Sequence, residues 1–150
     1  SGGKSKKISN TSDKEQHAWS PNGKEIAVIS EGKISVIPIS EGKAREIFNL
    51  KEFHIKRVQA LSWIPDGKHF AFIGEKEEEY GTRNRIYLVS TKGDKVVELA
   101  ADDDNWKDWL YPSPDGKWIS YDSEGDVKTR SESSIWEVSL EDLLKKEKDK

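Results

Sequence analysis

Three times along this chain a proline is followed by Asn or Asp, then by Gly-Lys, and then by apolar residues in alternation. The copies are WSPNGKEIAV from Trp19, WIPDGKHFAF from Trp63 and PSPDGKWISY from Pro112. A Pro-Asx-Gly triplet suits a tight reversal: proline presets its own φ, the Asx side chain bonds nearby backbone, and glycine tolerates positive φ. The prolines Pro21, Pro65 and Pro114 stand 44 and 49 residues apart. A period of that size marks one supersecondary unit used repeatedly, which confines the chain to repeat architectures.

The rest of each unit supports the period. Downstream of each turn lies a period-2 apolar stretch, KISVIPIS from Lys33, RIYLVST from Arg85 and SIWEVSL from Ser134, the pattern of a half-buried strand. Two units add a glycine turn and a further short strand, GKAREIF and GDKVVELA. Each unit thus reads as four short antiparallel strands in about 45 residues, the sequence period of a propeller blade. The expected fold is all-β: three propeller blades, 11–50, 51–100 and an incomplete 101–140, forming half or a fragment of a six- to eight-bladed ring. A short helix or charged tail follows at 141–150, and Ser1–Gly3 reads as a cloning remnant.

The recurring residues have structural roles in this reading. Trp19, Pro21, Asn22 and Gly23, then Trp63, Pro65, Asp66 and Gly67, then Pro114, Asp115 and Gly116 build the turn. Turn chemistry suffices to explain the recurring Asx, with no catalytic role. Trp19 and Trp63 occupy equivalent positions and are expected to pack blade against blade. Trp106 and Trp109 fit less simply, because strand alternation has a step of two residues and these are three apart.

Composition narrows the partners. The 150 residues suit one domain, with 33% apolar residues, 35% charged residues and six tryptophans to supply a modest core. The 25 basic and 28 acidic residues intermingle, giving a net charge of -3 and no basic stripe for nucleic acid or anionic membrane. No run is long enough for a membrane-spanning helix. The absence of cysteine removes disulfides, thiolate metal sites and cysteine nucleophiles, yet leaves the compartment open.

Catalytic constellations are lacking too. The chain has no G-x-S-x-G elbow, no H-E-x-x-H pair and no glycine-rich phosphate loop. His17, His54 and His69 are dispersed, and Asp102–Asp104 with Asn105 lack the alternating spacing of a calcium loop, so no metal or cofactor is expected.

Taken together, SPDGK followed by ISY or FAF, then IYLV and a short ELA strand, resembles the TolB-type, WD-like β-propeller repeat from about Gln16 to Leu140. Ile64 departs from the usual Trp-Ser, and Pro112 replaces the first-strand tryptophan of the third unit. The family includes periplasmic TolB, the propellers of tricorn-like and prolyl-oligopeptidase-like enzymes, and sensor or lipoprotein ectodomains. The resemblance implies a noncatalytic interaction or sensing module of a larger envelope or regulatory protein, in a periplasmic or extracellular setting. A peptide-gating propeller of a peptidase and a carbohydrate-binding propeller are the alternatives.

Three blades do not close a ring of the usual four to eight. Lys4–Asn10, KSKKISN, resembles the missing fourth strand of the last blade, so either two chains close one ring or a longer chain supplies the other blades. The partner is expected to be protein or peptide. Its contacts are expected on the loops between second and third strands and between blades, Glu75–Asn84, Ser123–Ser133 and the AADDDNW segment, with Tyr80, Arg83, Asp103, Trp106 and Arg130 as candidates.

Overall fold

The computed structural model describes residues 3–8, 16–40, 42–99, 105–124, 133–142 and 145. It is all-β, apart from a 3-10 helix at Leu50–Phe53 and helical residues at Leu140–Asp142 and Lys145. Strands β1 (His17–Trp19), β2 (Glu25–Ser30), β3 (Lys33–Pro38) and β4 (Arg45–Asn49) form the first antiparallel sheet in sequence order. The second is built the same way from β5 (Ile55–Trp63), β6 (His69–Glu78), β7 (Gly81–Ser90) and β8 (Val96–Leu99). The third contains β9 (Trp106–Pro112), β10 (Trp118–Glu124) and β11 (Ser133–Ser139), without a fourth strand among the described residues.

The repeated turn is the same object three times. Gly23, Gly67 and Gly116 have φ of 68°, 68° and 69°, a left-handed value that favours glycine. Each donates its N–H to the carbonyl three residues back, on Ser20 (2.9 Å), Ile64 (3.0 Å) and Ser113 (2.9 Å). Proline follows the accepting residue and Asx follows proline, and the closing pairs Ser20/Glu25, Ile64/His69 and Ser113/Trp118 leave a four-residue hairpin loop with a left-handed glycine in third place. The Asx side chain then caps the incoming strand: Asn22 Oδ1 accepts from Lys24 N (2.9 Å), Asp66 Oδ1 from Lys68 N (2.7 Å) and Asp115 Oδ1 from Lys117 N (3.1 Å).

The departure at Ile64 has a compensation. Ser20 and Ser113 donate their hydroxyls to Asn22 (2.8 Å) and Asp115 (2.5 Å), which isoleucine cannot do. In the second blade His69 Nδ1 lies 2.6 Å from Asp66 Oδ2, and Ile64 is buried instead among residues of the second and third sheets.

Alternation divides each sheet into two faces, and the faces stack. Trp63, Phe70, Phe72, Tyr87 and Val89 of the second sheet pack against Ala27, Ile29, Ile34 and Val36 of the first. From the opposite face of the second sheet, Ala71, Ile73, Ile86 and Leu88 meet Leu110, Ile119, Tyr121 and Val138 of the third. Phe72 stacks on Tyr87 with centroids 4.9 Å apart, and Trp63 meets Phe70 edge-on at 4.5 Å. We call the face toward the preceding blade leading and the face toward the following blade trailing. The first strands of successive blades touch, β1 with β5 and β5 with β9, so first strands line the inner side and later strands fan outward.

Two expectations are corrected, and a third segment is placed. Trp63 is 8% exposed beneath the first sheet, but Trp19 at the equivalent place is 54% exposed. Residues 4–8 of the segment expected to complete a blade form no strand pair within this chain among the described residues, and Ile8 is 41% exposed; positions 9 and 10 lie outside the described residues. Glu75–Asn84 is not an inserted loop: β6 and β7 pair as far as Glu78 and Gly81, and only Glu79 and Tyr80 turn. Cross-strand ion pairs sustain this charged hairpin, Arg83 and Arg85 each with Glu78 at 3.2 Å and Lys76 with Glu98 at 2.8 Å.

Candidate interaction furrow on the inner strands

Two of the inner strands, β5 and β9, do not pair regularly, whereas β1 does. In β5, Ile55 pairs with Lys76 and Arg57 with Glu75, which leaves Lys56 as an extra residue; Val58 pairs with Gly74 and Ala60 with Ile73, which leaves Gln59. In β9, Leu110 pairs with Tyr121 and Asp108 with Asp122, which leaves Trp109. Trp109 has φ of 50° and is 63% exposed, an unusual backbone for an aromatic residue in a strand. Bulges re-aim side chains, and left-handed non-glycine residues concentrate where backbone strain serves a site.

All three extra residues border one furrow. A cavity of about 500 Å³ is lined by Gln16, Lys56, Arg57, Gln59, Trp106 and Asp108, among others. A second of about 390 Å³ shares Gln16, Gln59 and Asp108 and adds Trp109 and Tyr111. The shared residues join the two into one track across β1, β5 and β9. Its rim lies where β5 and β9 begin, the end that also carries the Glu31-Gly32 turn and the Glu79-Tyr80 turn.

Several side chains there are held in place. Trp106 Nε1 donates to Asp108 Oδ2 (3.1 Å). Buried Asn84 donates through Nδ2 to Gln59 Oε1 (2.9 Å) and to the Lys107 carbonyl (3.2 Å), tying the β5 bulge to β9. Lys56 is paired with Glu77 at 2.9 Å. Trp106, Trp109 and Tyr111 present exposed aromatic surface on one strand, beside the exposed Arg57. Flat aromatic faces, fixed amides and a guanidinium form a surface suited to contact rather than to bond making.

Of the anticipated contact residues, Trp106 lines the furrow. Tyr80 is 89% exposed at the tip of the β6–β7 hairpin, and Arg83 is engaged with Glu78 in its stem. Asp103 and Arg130 lie outside the described residues, as do Asp102 and Asp104. Arg57, Gln59 and Asp108 were not singled out by sequence reasoning. The only sequence signal for this region is the three-residue step from Trp106 to Trp109, which the bulge at Trp109 now explains. Among the described residues no three His, Asp or Glu side chains converge as a metal site.

The stacked antiparallel sheets, two of four strands and one of three among the described residues, with inner strands adjacent, are blades of a β-propeller. Solved structures bear out that fold. The putative TolB from Agrobacterium tumefaciens matches 83% of this chain at 20% identity with a TM-score of 0.63, the match covering 44% of that protein. The tricorn protease matches 83% at 16% identity, TM-score 0.63, over 13% of its length. An acylaminoacyl peptidase matches 83% at 16% identity, TM-score 0.53, over 24% of its length. The chain therefore spans less than half the length of these similar proteins. No family model matches it, and no curated protein matches it in sequence.

Proposed function

We infer that this chain is a noncatalytic propeller module of a larger protein, and that it binds a protein or peptide segment along the inner-strand furrow. The observation that carries this reading is the convergence of Lys56, Gln59 and Trp109, three bulge residues of two strands, on one track. Bulges interrupt ladder bonds; three of the four register shifts among the described residues lie on β5 and β9, the fourth leaving Ile47 extra in β4, and we account for those three by what they present there. Exposed Trp and Tyr supply contact area at small cost in side-chain entropy.

A second reading, in which the module positions peptides for an attached peptidase, draws on the likeness to the tricorn protease and acylaminoacyl peptidase. It uses the same furrow and differs only in what the module is joined to. The test is selection of a random peptide library on the immobilised chain, followed by titration of the enriched peptides against Trp106→Ala and Gln59→Ala. Binding weakened about tenfold or more in both variants supports the reading. Failure to enrich any peptide, equal binding by the variants, or preference for saccharides over peptides overturns it.

A further inference from the structure

Four consecutive residues of β5, Lys56, Arg57, Val58 and Gln59, line the first cavity of the furrow. Regular alternation would turn every second one away, so the extra residues at Lys56 and Gln59 are what let all four reach it. β5 is an edge of its sheet, as β9 is of the third. An added strand needs unpaired backbone donors and acceptors at a regular step, and the three extra residues break that step on both edges. A segment lying in the furrow is therefore held by side chains.

Those side chains divide into engaged and unengaged groups. Lys56 is paired with Glu77 at 2.9 Å, and Asp108 accepts from Trp106 Nε1 at 3.1 Å. Arg57, exposed between the two extra residues, forms no side-chain ion pair among the described residues, neither with its strand partner Glu75 nor with Asp108 across the cavity. Gln59 is oriented by its neighbour. Asn84 Nδ2 donates to the Lys107 carbonyl, which can only accept, so the Asn84 amide has one orientation and its other N–H makes Gln59 Oε1 an acceptor. Gln59 Nε2 is then a donor, half-buried and with no acceptor among the described residues. In the second cavity the same Gln59 stands with the exposed rings of Trp109 and Tyr111.

We propose that the furrow selects an acidic peptide segment: one Asp or Glu side chain of the partner is bound by the Arg57 guanidinium and the Gln59 amide N–H, and its neighbours lie against Trp109 and Tyr111. This rests on the reading of the furrow as a peptide site and names what that site prefers. A guanidinium fork with an amide donor beside it matches the two oxygens of a carboxylate. A neutral segment would cover Arg57 without pairing it, and a basic one would add repulsion. Asp108, the one carboxylate among the described residues lining the two cavities, is already taken up by the Trp106 indole.

Three pools of short random peptides, alike except for a central Glu, Gln or Lys, test this by titration against the whole chain. The Glu pool is expected to bind about tenfold more tightly than the Gln pool, and the Lys pool more weakly than either. Arg57→Gln should erase the preference for Glu over Gln. So should Gln59→Glu, which keeps the oxygen that accepts from Asn84 and loses the donor. Neither should move the melting temperature. Arg57→Glu should transfer the preference to the Lys pool, a gain that misfolding could not mimic, and Trp109→Gly should weaken all pools alike. Equal binding of the Glu and Gln pools, a Lys preference in the unsubstituted chain, or a Glu preference that survives both Arg57→Gln and Gln59→Glu overturns the proposal. Should Trp109→Gly still weaken the pools in that case, the furrow stands as a peptide site of other selectivity. Binding by no pool removes the proposal and the furrow reading together.

Discussion

Gly93, in the turn between β7 and β8, stands so close to Ile47 of β4 that a Cβ on Gly93 would lie 2.1 Å from the Ile47 carbonyl oxygen. The outer edges of the first two blades are therefore locked by backbone against backbone, with no side chain to yield. Gly93 also has φ of 74°, so both space and conformation demand glycine.

Gly93→Ala is accordingly expected to cost about 3 kcal/mol, the sum of left-handed strain and a displaced strand. Gly23→Ala is the control, because Gly23 has φ of 68° but nothing within 4 Å of the added Cβ. It should cost about 1 kcal/mol, the conformational part alone. Urea melts of the two variants separate the contributions; equal losses would show that the approach of Gly93 to Ile47 does not hold the blades together.

Phe72 is fully buried, stacked on Tyr87 and 6.0 Å from Phe48 of the first blade. Truncation to alanine removes the ring joining these two blades and should cost about 3 to 5 kcal/mol. Phe72→Leu should cost less than half as much. The same core pushes the Tyr87 hydroxyl above its ordinary range through burial, with Glu98 adding to the effect, so spectrophotometric titration should leave it protonated until the fold opens in alkali.

Trp109 carries backbone strain that its exposed side chain does nothing to relieve within the chain. Trp109→Gly is expected to leave stability unchanged or raise it by up to about 1 kcal/mol, since glycine accepts the left-handed backbone while adding entropy to the unfolded chain. Tyr111→Gly, two residues along the same strand, should lose about 1 kcal/mol. A large loss at Trp109 would mean that its ring holds the fold, and the furrow would lose its best evidence.

The Ser113 hydroxyl holds the Asp115 carboxyl below the usual carboxylate range, helped by the Lys117 N–H, and the Ser90 hydroxyl does the same for Asp94. A carboxylate with a depressed folded pKa contributes stability that is present above its unfolded pKa and fades as pH falls through the folded value. The chain should therefore lose stability on acidification below the ordinary carboxylate range. Asp115→Asn should flatten part of that loss while preserving the turn, because Asn22 already accepts Ser20 Oγ and Lys24 N at the equivalent place. Thermal melts from neutral to acid pH measure both effects.

How much of this was legible beforehand follows from the range over which each feature is determined. The turns were, because a Pro-Asx-Gly reversal is decided within five residues, and its three occurrences counted the blades. The fate of Trp19 was not, because residues identical in sequence role differ in whatever stands across from them. The charged hairpin at Glu75–Asn84 resembled a loop because its strand character rests on cross-strand pairs such as Lys76 with Glu98 rather than on apolar alternation. In the furrow, Trp106 was reached through its residue type. Arg57, Gln59 and Asp108 were missed because strand register, not local spelling, brings them together.

The bulges of β5 and β9 have a further consequence. Each extra residue belongs to a strand whose partner keeps its own count, so β6 and β10 hold their regular pairing with the next strands out. The inner margin can therefore gain, lose or change a residue while the stacked faces behind it stay in step. Such an arrangement separates what natural selection can vary from what it must preserve, and lets one scaffold be readdressed to new targets.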